Sequence, residues 1–504
     1  MNRREFLRGA LIAGSACLLP RELLALGMQG GAAKRPNIVF FYIDDMGWQD
    51  TSEPFYTSVT DLNRRYITPC IEKLADDGVK FTQAYSCAVC SPSRVSLMTG
   101  MNAARHRVTS WLKEKNKFPV PNTHPVVQMP LWNLNGLCPF DGLENTVYAR
   151  TFPMYLQDAG YRTIHVGKAH WGARGTPGDD PLKLGFDVNI GGSAAGNPSS
   201  YYGLDNFSRT GTNGESPNDI IGLESYHGRD IFLTEALTIE ANREIDEAVK
   251  AGRPFFLNLA HYAVHSPLQK DERFYQKYSD RGLDAGDAAY ASMLEGMDKS
   301  LGDIRANLKR NGIEDNTIIV FMSDNGAAED VPLNLPLRDQ KRSPYEGGIR
   351  VPMIVSWPGV TAPGRVCDDY VISEDIFPSF LEMAGVHDYS QIGGVMDGES
   401  FVPLLRNESP RADRPLFWHF PHVNIFIMPY SIIHKGEWKL IYFYKNRKYE
   451  LYNLAEDISE KKNLFKNNKS LARPLAEELR AHLTEANAQV PIYRNSGKPM
   501  RLPG

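Results

Sequence analysis

Four apolar runs of strand length limit what this chain can fold into more than any other feature of the sequence. They cover residues 37–43, 163–166, 254–260 and 317–322. The first and the last are apolar on both faces, as expected for central strands of a parallel sheet that helices cover on both sides. Open α/β sheets build their sites at the carboxyl ends of such strands, so the residues that follow these runs are the first candidates for function.

The rest of the pattern predicts a large α/β domain followed by a smaller subdomain. Residues 230–252 and 288–311 have apolar side chains at helical spacing, which predicts helices that cover the sheet. After about residue 405 the sequence changes to short strands and a polar helix, which is typical of a small antiparallel sheet packed on a helix. These last elements are predicted at residues 416–420, 430–434, 438–443, 448–452 and 469–487. We therefore divide the chain into a catalytic α/β domain at 34–405 and a C-terminal α+β subdomain at 406–504.

Two long stretches, residues 101–147 and 173–228, are rich in Gly, Asn, Ser and Pro and have little periodicity. We interpret them as loops on a rigid scaffold, where substrate specificity is built. Four aromatic residues in these stretches can either stack on a sugar or pack in a core. These residues are Trp111, Trp132, Tyr201 and Tyr202.

Composition argues against several classes of function. A chain of 504 residues with 42% hydrophobic and 23% charged residues is typical of a globular protein. The formal net charge of -4 and the lack of basic tracts argue against nucleic acid as the main partner. Cys87 and Cys90 form a Cys-x-x-Cys pair, but no second Cys pair or His partner stands at the spacing typical of a zinc site. A zinc or redox site is therefore not favoured, and a disulfide among Cys70, Cys138 and Cys367 stays open.

The first 33 residues have the pattern of an export signal. Arg3 and Arg4 precede Phe6-Leu7 and an apolar run at residues 9–19, which is too short to span a bilayer as a helix. This is the pattern of a twin-arginine signal. We therefore expect the protein to use the twin-arginine (Tat) export machinery, to be periplasmic or secreted, and to have no stable membrane span.

Oxygen ligands follow the first and the last of the four strand runs. Asp44-Asp45 come directly after one run, and Asp324-Asn325 come after the other. They can converge on one cation if the two strands are neighbours and if the chain turns after the first strand, which Gly47 permits. Three carboxylates and an amide suit Ca²⁺ or Mg²⁺ better than Zn²⁺. The alternative is a pair of solvated turns at the strand ends.

A short helix is predicted to begin just after Cys90. Ser91 is a candidate N-cap, Pro92 suits the first helical position, and Gly100 stands where the helix would end. Backbone N–H groups and the helix dipole favour an anion at such a position. Arg94 opposes the dipole in the first turn, so we expect it to have a negative partner. The alternative is a buried structural Cys90 on a well-capped helix.

The block that contains Cys90 resembles the signature of a known enzyme family. Ala-Val-Cys-Ser-Pro-Ser-Arg at 88–94 and Leu-Met-Thr-Gly at 97–100 are similar to the signature of the type I sulfatases in the alkaline phosphatase superfamily. Other blocks in the order and spacing of this family are Gly-Lys-Ala-His-Trp-Gly at 167–172, His-Ser-Pro at 265–267 and Tyr-Glu-Gly-Gly-Ile-Arg-Val-Pro at 345–352. The resemblance implies an alkaline phosphatase-like α/β fold with a large mixed, mostly parallel sheet flanked by helices and a smaller C-terminal antiparallel sheet plus helix.

The resemblance also implies a modified nucleophile. In the family the Cys that corresponds to Cys90 is oxidised to formylglycine by a formylglycine-generating maturation enzyme, and it completes the coordination of one Ca²⁺ or Mg²⁺. Lys341, four residues before Tyr345, matches the position of the family's active-site lysine, and Arg342 is its nearest rival.

The remaining site residues are also assigned by the resemblance. Arg94, Lys168 and Lys341 would neutralise the sulfate oxygens, and His265 or Lys341 would protonate the leaving alcohol. His170 would take a proton from the second hydroxyl of the hydrated aldehyde. Lys168 and His170 lie two positions apart, so on an extended segment they point the same way.

The function that these patterns favour is the removal of sulfate from a sulfated oligosaccharide or polysaccharide. One alternative is a phosphonate monoester or phosphodiester hydrolase of the same superfamily. Another is a sulfated-glycan-binding protein in which Cys90 is never oxidised. The sugar, the sulfated position and the choice between chain ends and chain interiors stay open.

Overall fold

The computed structural model describes residues 35–208, 216–389, 394–408, 414–423 and 427–504. The predicted export signal at residues 1–33 lies outside these ranges. Pro36–Gly504 form one compact unit. Among the helices in the described ranges, none is both long and apolar enough to cross a bilayer.

The strands are β1 (Asn37–Ile43), β2 (Val79–Tyr85), β3 (Val127–Gln128), β4 (Gly136–Cys138), β5 (Thr146–Tyr148), β6 (Arg162–Gly167), β7 (Val188–Ile190), β8 (Phe255–Ala260), β9 (Thr317–Ser323), β10 (Arg350–Ser356), β11 (Arg365–Cys367), β12 (Val371–Ile372), β13 (Leu416–Phe420), β14 (Tyr430–Lys435), β15 (Trp438–Phe443), β16 (Lys448–Asn453) and β17 (Ile492–Tyr493). The α-helices are α1 (Asp61–Arg65), α2 (Pro69–Asp77), α3 (Cys90–Thr99), α4 (Ala103–His106), α5 (Phe152–Asp158), α6 (Leu233–Lys250), α7 (Glu272–Asp280), α8 (Ala285–Arg310), α9 (Glu346–Ile349), α10 (Ile376–Met383), α11 (Val402–Leu405) and α12 (Lys469–Glu485).

Within the described residues, the main sheet has nine strands in the order β11-β2-β10-β9-β1-β8-β6-β7, with β12 also paired to β2. Strand β10 runs antiparallel to β2 and β9, whereas β1, β8, β6 and β7 pair in parallel. The sheet is therefore mixed and mostly parallel, which confirms the predicted fold class. Strands β1 and β9 are neighbours in parallel register, with Ile43 opposite Ser323. This pairing brings the two predicted metal-ligand pairs to the same level at one edge of the sheet.

Helices cover both faces of the main sheet. The side chains of β1 show this, since they alternate between two cores, one on each face. Val39, Phe41 and Ile43 pack into a core shared with α6 and α8. Phe40 and Tyr42 pack into a second core with α3, α5 and α10. Helices α6 and α8 lie within three residues of their predicted bounds, and they cover the sheet as the apolar spacing indicates.

The C-terminal region forms the predicted small antiparallel sheet, in the order β13-β14-β15-β16. One face of this sheet packs on α12 through residues such as Ile433 and Leu479. The other face packs against the main domain, where Trp418 joins a core with Tyr85 and Ile349. The small sheet is thus attached beside the segment that carries the Tyr-Glu-Gly-Gly block.

Candidate active site

Three carboxylates meet at the carboxyl ends of β1 and β9. Asp44, Asp45 and Asp324 are buried, and one oxygen of each lies within 4.8 Å of the others. The chain turns at Asp45, whose φ is 61°, rather than at Gly47 as expected from the sequence. Gly47 has a different role, because a Cβ at this position would lie 2.2 Å from the side-chain nitrogen of Asn334.

The donor set of this cluster fits an oxygen-liganded cation. Within the described ranges, Asp44 Oδ1 and Asn325 Oδ1 are buried oxygens without a hydrogen-bond donor. Burial, together with the charge of Asp324, raises the pKa of Asp44 well above its usual value, although Lys168 acts in the opposite direction. Buried oxygens that lack donors are costly, and a hard cation such as Ca²⁺ or Mg²⁺ would satisfy them. The structure therefore supports the predicted ligand chemistry of Asp44, Asp45, Asp324 and Asn325.

Helix α3 begins at Cys90 itself, two residues before the predicted first helical position at Pro92. Val89 is the N-cap in an extended conformation, and Gly100 ends the helix in the left-handed region as expected. Ser91 does not cap the helix, because its hydroxyl accepts a hydrogen bond from the backbone N–H of Leu112 at 3.1 Å. Cys90 is buried at the helix start, and its Sγ lies 3.4 Å from His170 Nδ1.

Arg94 has the negative partner expected from the sequence, although the earlier start of α3 makes it the fifth helical residue and not part of the first turn. Its Nε donates a hydrogen bond to Asp324 Oδ2 at 2.9 Å, and its Nη1 donates to the Lys168 carbonyl at 2.8 Å. The guanidinium also lies 4.9 Å from the centre of the Tyr42 ring. The buried arginine therefore connects α3 to the strand ends that hold the carboxylates.

Lys168 and His170 reach the same cluster from the end of β6, but on a turn rather than on the expected extended segment. Gly167 and His170 both have positive φ, at 99° and 57°. Lys168 Nζ donates to Asp44 Oδ2 at 2.6 Å, and both groups are fully buried. His170 Nε2 donates to the Leu112 carbonyl at 2.9 Å, because a carbonyl can only accept.

The hydrogen bond from Nε2 sets the proton position in His170. Burial and the charge of Lys168 hold the pKa of His170 well below its usual value, so the imidazole is neutral. With the proton on Nε2, the lone pair on Nδ1 faces residue 90. His170 can therefore accept a proton from a group at position 90.

Lys341 and His265 approach Asp45 from two other segments. Lys341 Nζ donates to Asp45 Oδ1 at 2.5 Å, and His265 Nε2 lies 3.4 Å from Asp45 Oδ2. Lys341 is buried, although its sequence context resembles that of an exposed cation. Its rival Arg342 instead pairs with Glu329 at 2.6 Å. The geometry thus favours Lys341 as the member of the site.

Burial and the lysine together determine the charge states of these groups. Burial lowers the pKa of His265 to about 3 despite the nearby Asp45, so its imidazole is neutral. Burial would lower the pKa of Lys341 as well, but the charge of Asp45 outweighs this and raises it above its usual value. Burial would raise the pKa of Asp45, but the charge of Lys341 and the hydrogen bond from its ammonium group outweigh this and hold the pKa below its usual value.

A cavity of about 230 Å³ opens onto these groups and is lined by Cys90, His170, His265 and Lys341. Among the four loop aromatics, Trp111 lines this cavity. Trp132 and Tyr201 are buried in cores, and the hydroxyl of Tyr202 donates to the Lys270 carbonyl. The Tyr201 hydroxyl lies 2.7 Å from the His265 carbonyl, a positioning contact that the sequence pattern does not reveal.

The cysteines of the described ranges form no disulfide. Cys70, Cys87, Cys90, Cys138 and Cys367 are all free thiols, so the pairing left open in the sequence is not formed. Cys87 faces Ser96 Oγ at 4.0 Å rather than Cys90. The Cys-x-x-Cys pair is therefore not a disulfide.

Comparison with known proteins identifies the family. Residues 36–386, well over half of the chain, match the model of the sulfatase family. The chain belongs to this family. Residues 339–489 of this sulfatase also match the model of the C-terminal region of N-sulphoglucosamine sulphohydrolase.

Individual relatives support the same assignment. The sulfatase is 30% identical to a sulfatase of Formosa agariphila over 527 residues, covering 94% of this chain and 93% of the relative. It is 32% identical to the N-acetylgalactosamine-6-sulfatase of Mus musculus over 426 residues, covering 80% and 74%. The crystal structure of Ps i-CgsB in complex with k-i-k-neocarrahexaose is similar with a TM-score of 0.71 and 28% identity, covering 89% and 93% of the two chains. The protein is thus a sulfuric ester hydrolase with the fold of the alkaline phosphatase-like sulfatases.

Proposed function

We propose that this sulfatase removes sulfate from a sulfated carbohydrate, with Cys90 converted to formylglycine by a maturation enzyme. The observation that carries the proposal is the 3.4 Å contact between Cys90 Sγ and His170 Nδ1 on the wall of the cavity. The proteins named above include an N-acetylgalactosamine-6-sulfatase and a structure in complex with k-i-k-neocarrahexaose, which supports a carbohydrate substrate.

One divalent cation, Ca²⁺ or alternatively Mg²⁺, belongs to this proposal. Asp44, Asp45, Asp324, Asn325 and the modified residue 90 would hold it. When bound, the cation would neutralise charge on the sulfate oxygens. The hydrated aldehyde would supply the nucleophile. The two buried oxygens without hydrogen-bond donors, Asp44 Oδ1 and Asn325 Oδ1, support this assignment.

The cationic side chains bind and orient the sulfate group. Lys341 lines the cavity, so its ammonium group is accessible to a sulfate oxygen. Lys168 and Arg94 are fixed by hydrogen bonds in the buried layer of the site. Positive groups held in place before the reaction stabilise charge that develops in the transition state without a reorganisation cost.

Two side chains move protons in this proposal. His170 accepts a proton at Nδ1 from the group at position 90, because its Nε2 proton is engaged by the Leu112 carbonyl. Protonation of the leaving alcohol falls to Lys341 or His265, which both line the cavity. At neutral pH Lys341 is protonated, whereas His265 is a neutral imidazole that still carries one N–H.

We also propose export through the twin-arginine machinery, to the periplasm or the medium. The support comes from the sequence, where Arg3 and Arg4 precede Phe6-Leu7 and the apolar run at 9–19.

The mass of the tryptic peptide Phe81–Arg94 tests the nucleophile. The protein is produced in a host that modifies sulfatases, and fragment ions separate Cys90 from Cys87. We expect the aldehyde at position 90 and the thiol at position 87. A thiol at position 90 in protein that hydrolyses sulfate esters would refute the formylglycine proposal.

Turnover of matched variants tests the reaction. Cys90→Ala should lower the hydrolysis of aryl sulfate by about a thousandfold or more, as for other enzymes that lose a nucleophile. Cys87→Ala is the matched control, because this neighbouring thiol does not line the catalytic cavity. Faster turnover on an aryl phosphodiester than on the aryl sulfate would point instead to a phosphodiester hydrolase.

A further inference from the structure

The catalytic cavity carries more positive charge than the sulfate chemistry uses. Besides Lys341, its lining includes Lys113, Arg174 and Arg342. Among the described residues that line it, none is an Asp or Glu. A wall with charges of one sign raises the local concentration of ligands of the opposite sign.

Lys113 and Arg174 lie side by side on two different loops. The backbone N–H of Arg174 donates to the Lys113 carbonyl at 3.0 Å, and both side chains are exposed. Neither forms an ion pair with a residue of the described ranges. The nearby Glu114 forms its ion pair with Lys117, at 2.5 Å, and interacts with Lys113 and Arg174 only through longer-range charge.

Asp179 is five residues from Arg174 and lines an adjacent cavity with it, but within the described ranges the two form no ion pair. Its Oδ1 accepts from the Ala194 amide at 2.5 Å, and its Oδ2 accepts from the Gly175 amide at 2.9 Å. Both oxygens of this carboxylate are therefore engaged by backbone groups. The guanidinium of Arg174 stays available to a ligand.

Arg342 differs from these two cations, because it already has partners. It pairs with Glu329 at 2.6 Å, and its guanidinium lies 5.1 Å from the centre of the Trp111 ring. The unpaired positive charge of the cavity is thus concentrated on Lys113 and Arg174, which take no part in the ion pairs of the acidic cluster.

We propose that Lys113 and Arg174 bind a second anionic substituent of the substrate, a sulfate or a carboxylate, next to the scissile sulfate ester. This inference rests on the proposed function and names the substrate class as a glycan with at least two negative groups close together. The planar guanidinium of Arg174 matches the oxygens of either anion, and Lys113 adds a mobile point charge.

The test is a direct binding measurement that does not depend on turnover. The full chain with Cys90→Ala is titrated by calorimetry with carrageenan oligosaccharides of equal length that carry one or two sulfates per repeating unit. A third probe is a chondroitin 6-sulfate oligosaccharide, which carries one sulfate and one carboxylate. We expect at least one two-anion probe to bind about tenfold more tightly than the one-anion probe, the size of one charged hydrogen bond.

Variants assign this preference to the two side chains. In the same background, Arg174→Ala and Lys113→Ala should each reduce the preference severalfold, and Arg174→Lys should keep part of it. Lys115→Ala is the matched control, since Lys115 is an exposed lysine of the same loop that does not line the cavity.

The outcomes separate this inference from the proposed function. Equal affinities for the one-anion and two-anion probes would overturn the inference, and so would a loss as large in Lys115→Ala as in Arg174→Ala. A preference for the second sulfate over the carboxylate, or the reverse, supports it and identifies the anion. Turnover by the unsubstituted enzyme is measured separately, and failure to release sulfate from any of the three probes would count against the proposed function alone.

Discussion

Lys439 provides a test of how the C-terminal sheet is attached to the main domain. This residue of β15 is fully buried, and its Nζ lies 2.9 Å from Glu346 Oε1 and 2.8 Å from Glu460 Oε1. Glu346 is the first residue of α9, and its amide donates to Glu460 Oε2 at 2.6 Å. The lysine therefore holds two buried carboxylates that join the small sheet to the Tyr-Glu-Gly-Gly block.

The substitution Lys439→Met removes this charge and keeps most of the side-chain volume. Glu346 retains Arg350, at 3.2 Å, whereas the main compensating charge of Glu460 is lost. Breaking a buried pair in this way costs about 3–5 kcal/mol of the free energy of unfolding. The control is Lys435→Met, which removes a half-exposed pair with Glu478 and should cost about 1 kcal/mol or less.

The pH dependence separates a charge effect from a packing effect. Burial already raises the pKa of Glu460 to about 7, and loss of Lys439 raises it further. A carboxyl whose folded pKa exceeds its unfolded value adds stability below the unfolded pKa, and this stability is lost as the pH rises through the folded pKa. The cost of Lys439→Met should therefore be smaller at pH 5 than at pH 8, as measured by urea unfolding. A cost equal to that of Lys435→Met, or one that is the same at both pH values, would refute the reasoning.

Two further predictions concern Glu374 and His265. Glu374 accepts from Asn102 Nδ2 at 2.7 Å, and burial raises its pKa to about 8. The stability that its protonated form provides is lost as the pH rises from about 4.5 to about 8. The free energy of unfolding of Glu374→Gln, relative to that of the parent, should therefore increase by up to roughly 5 kcal/mol across this range. If the free energies of unfolding of the parent and of Glu374→Gln, measured in urea, changed with pH in parallel, this prediction would be wrong. His265→Ala should lower turnover by about a hundredfold or more on poorly activated alkyl sulfates and by less on aryl sulfates, if His265 is the acid. Full turnover on an alkyl sulfate would leave Lys341 in that role.

The main elements of the fold could be predicted because they depend on local patterns. Strands β1 and β9 are covered on both faces, so they appear in the sequence as continuous apolar runs that end in polar residues. The short strands of the C-terminal sheet and helices α6 and α8 follow in the same way from their spacing. The pairing of β1 with β9 was only a condition of the metal-site prediction, and the structure fulfils it.

Details that depend on distant contacts could not be predicted. Helix α3 begins two residues early, and Ser91 does not cap it but bonds to Leu112, which lies on a later loop. The turn that lets Asp44 and Asp45 face one cluster occurs at Asp45, where the backbone N–H donates to Asp324 Oδ1 at 3.1 Å. Lys341 is buried only because the fold brings it to Asp45. In each case the partner is far away in the sequence.

Charge balance explains why so many ionised groups are buried in this site. Each carboxylate of the cluster has one cationic partner within 2.8 Å, in the order Asp44–Lys168, Asp45–Lys341 and Asp324–Arg94. With all three carboxylates ionised, the six formal charges cancel, which limits the cost of burying them. A divalent cation bound by the same oxygens would make the site net positive, and a negatively charged sulfate ester would restore the balance. The site is therefore suited to an anionic ester rather than a neutral one, and Lys113 and Arg174 extend the same preference to the rest of the substrate.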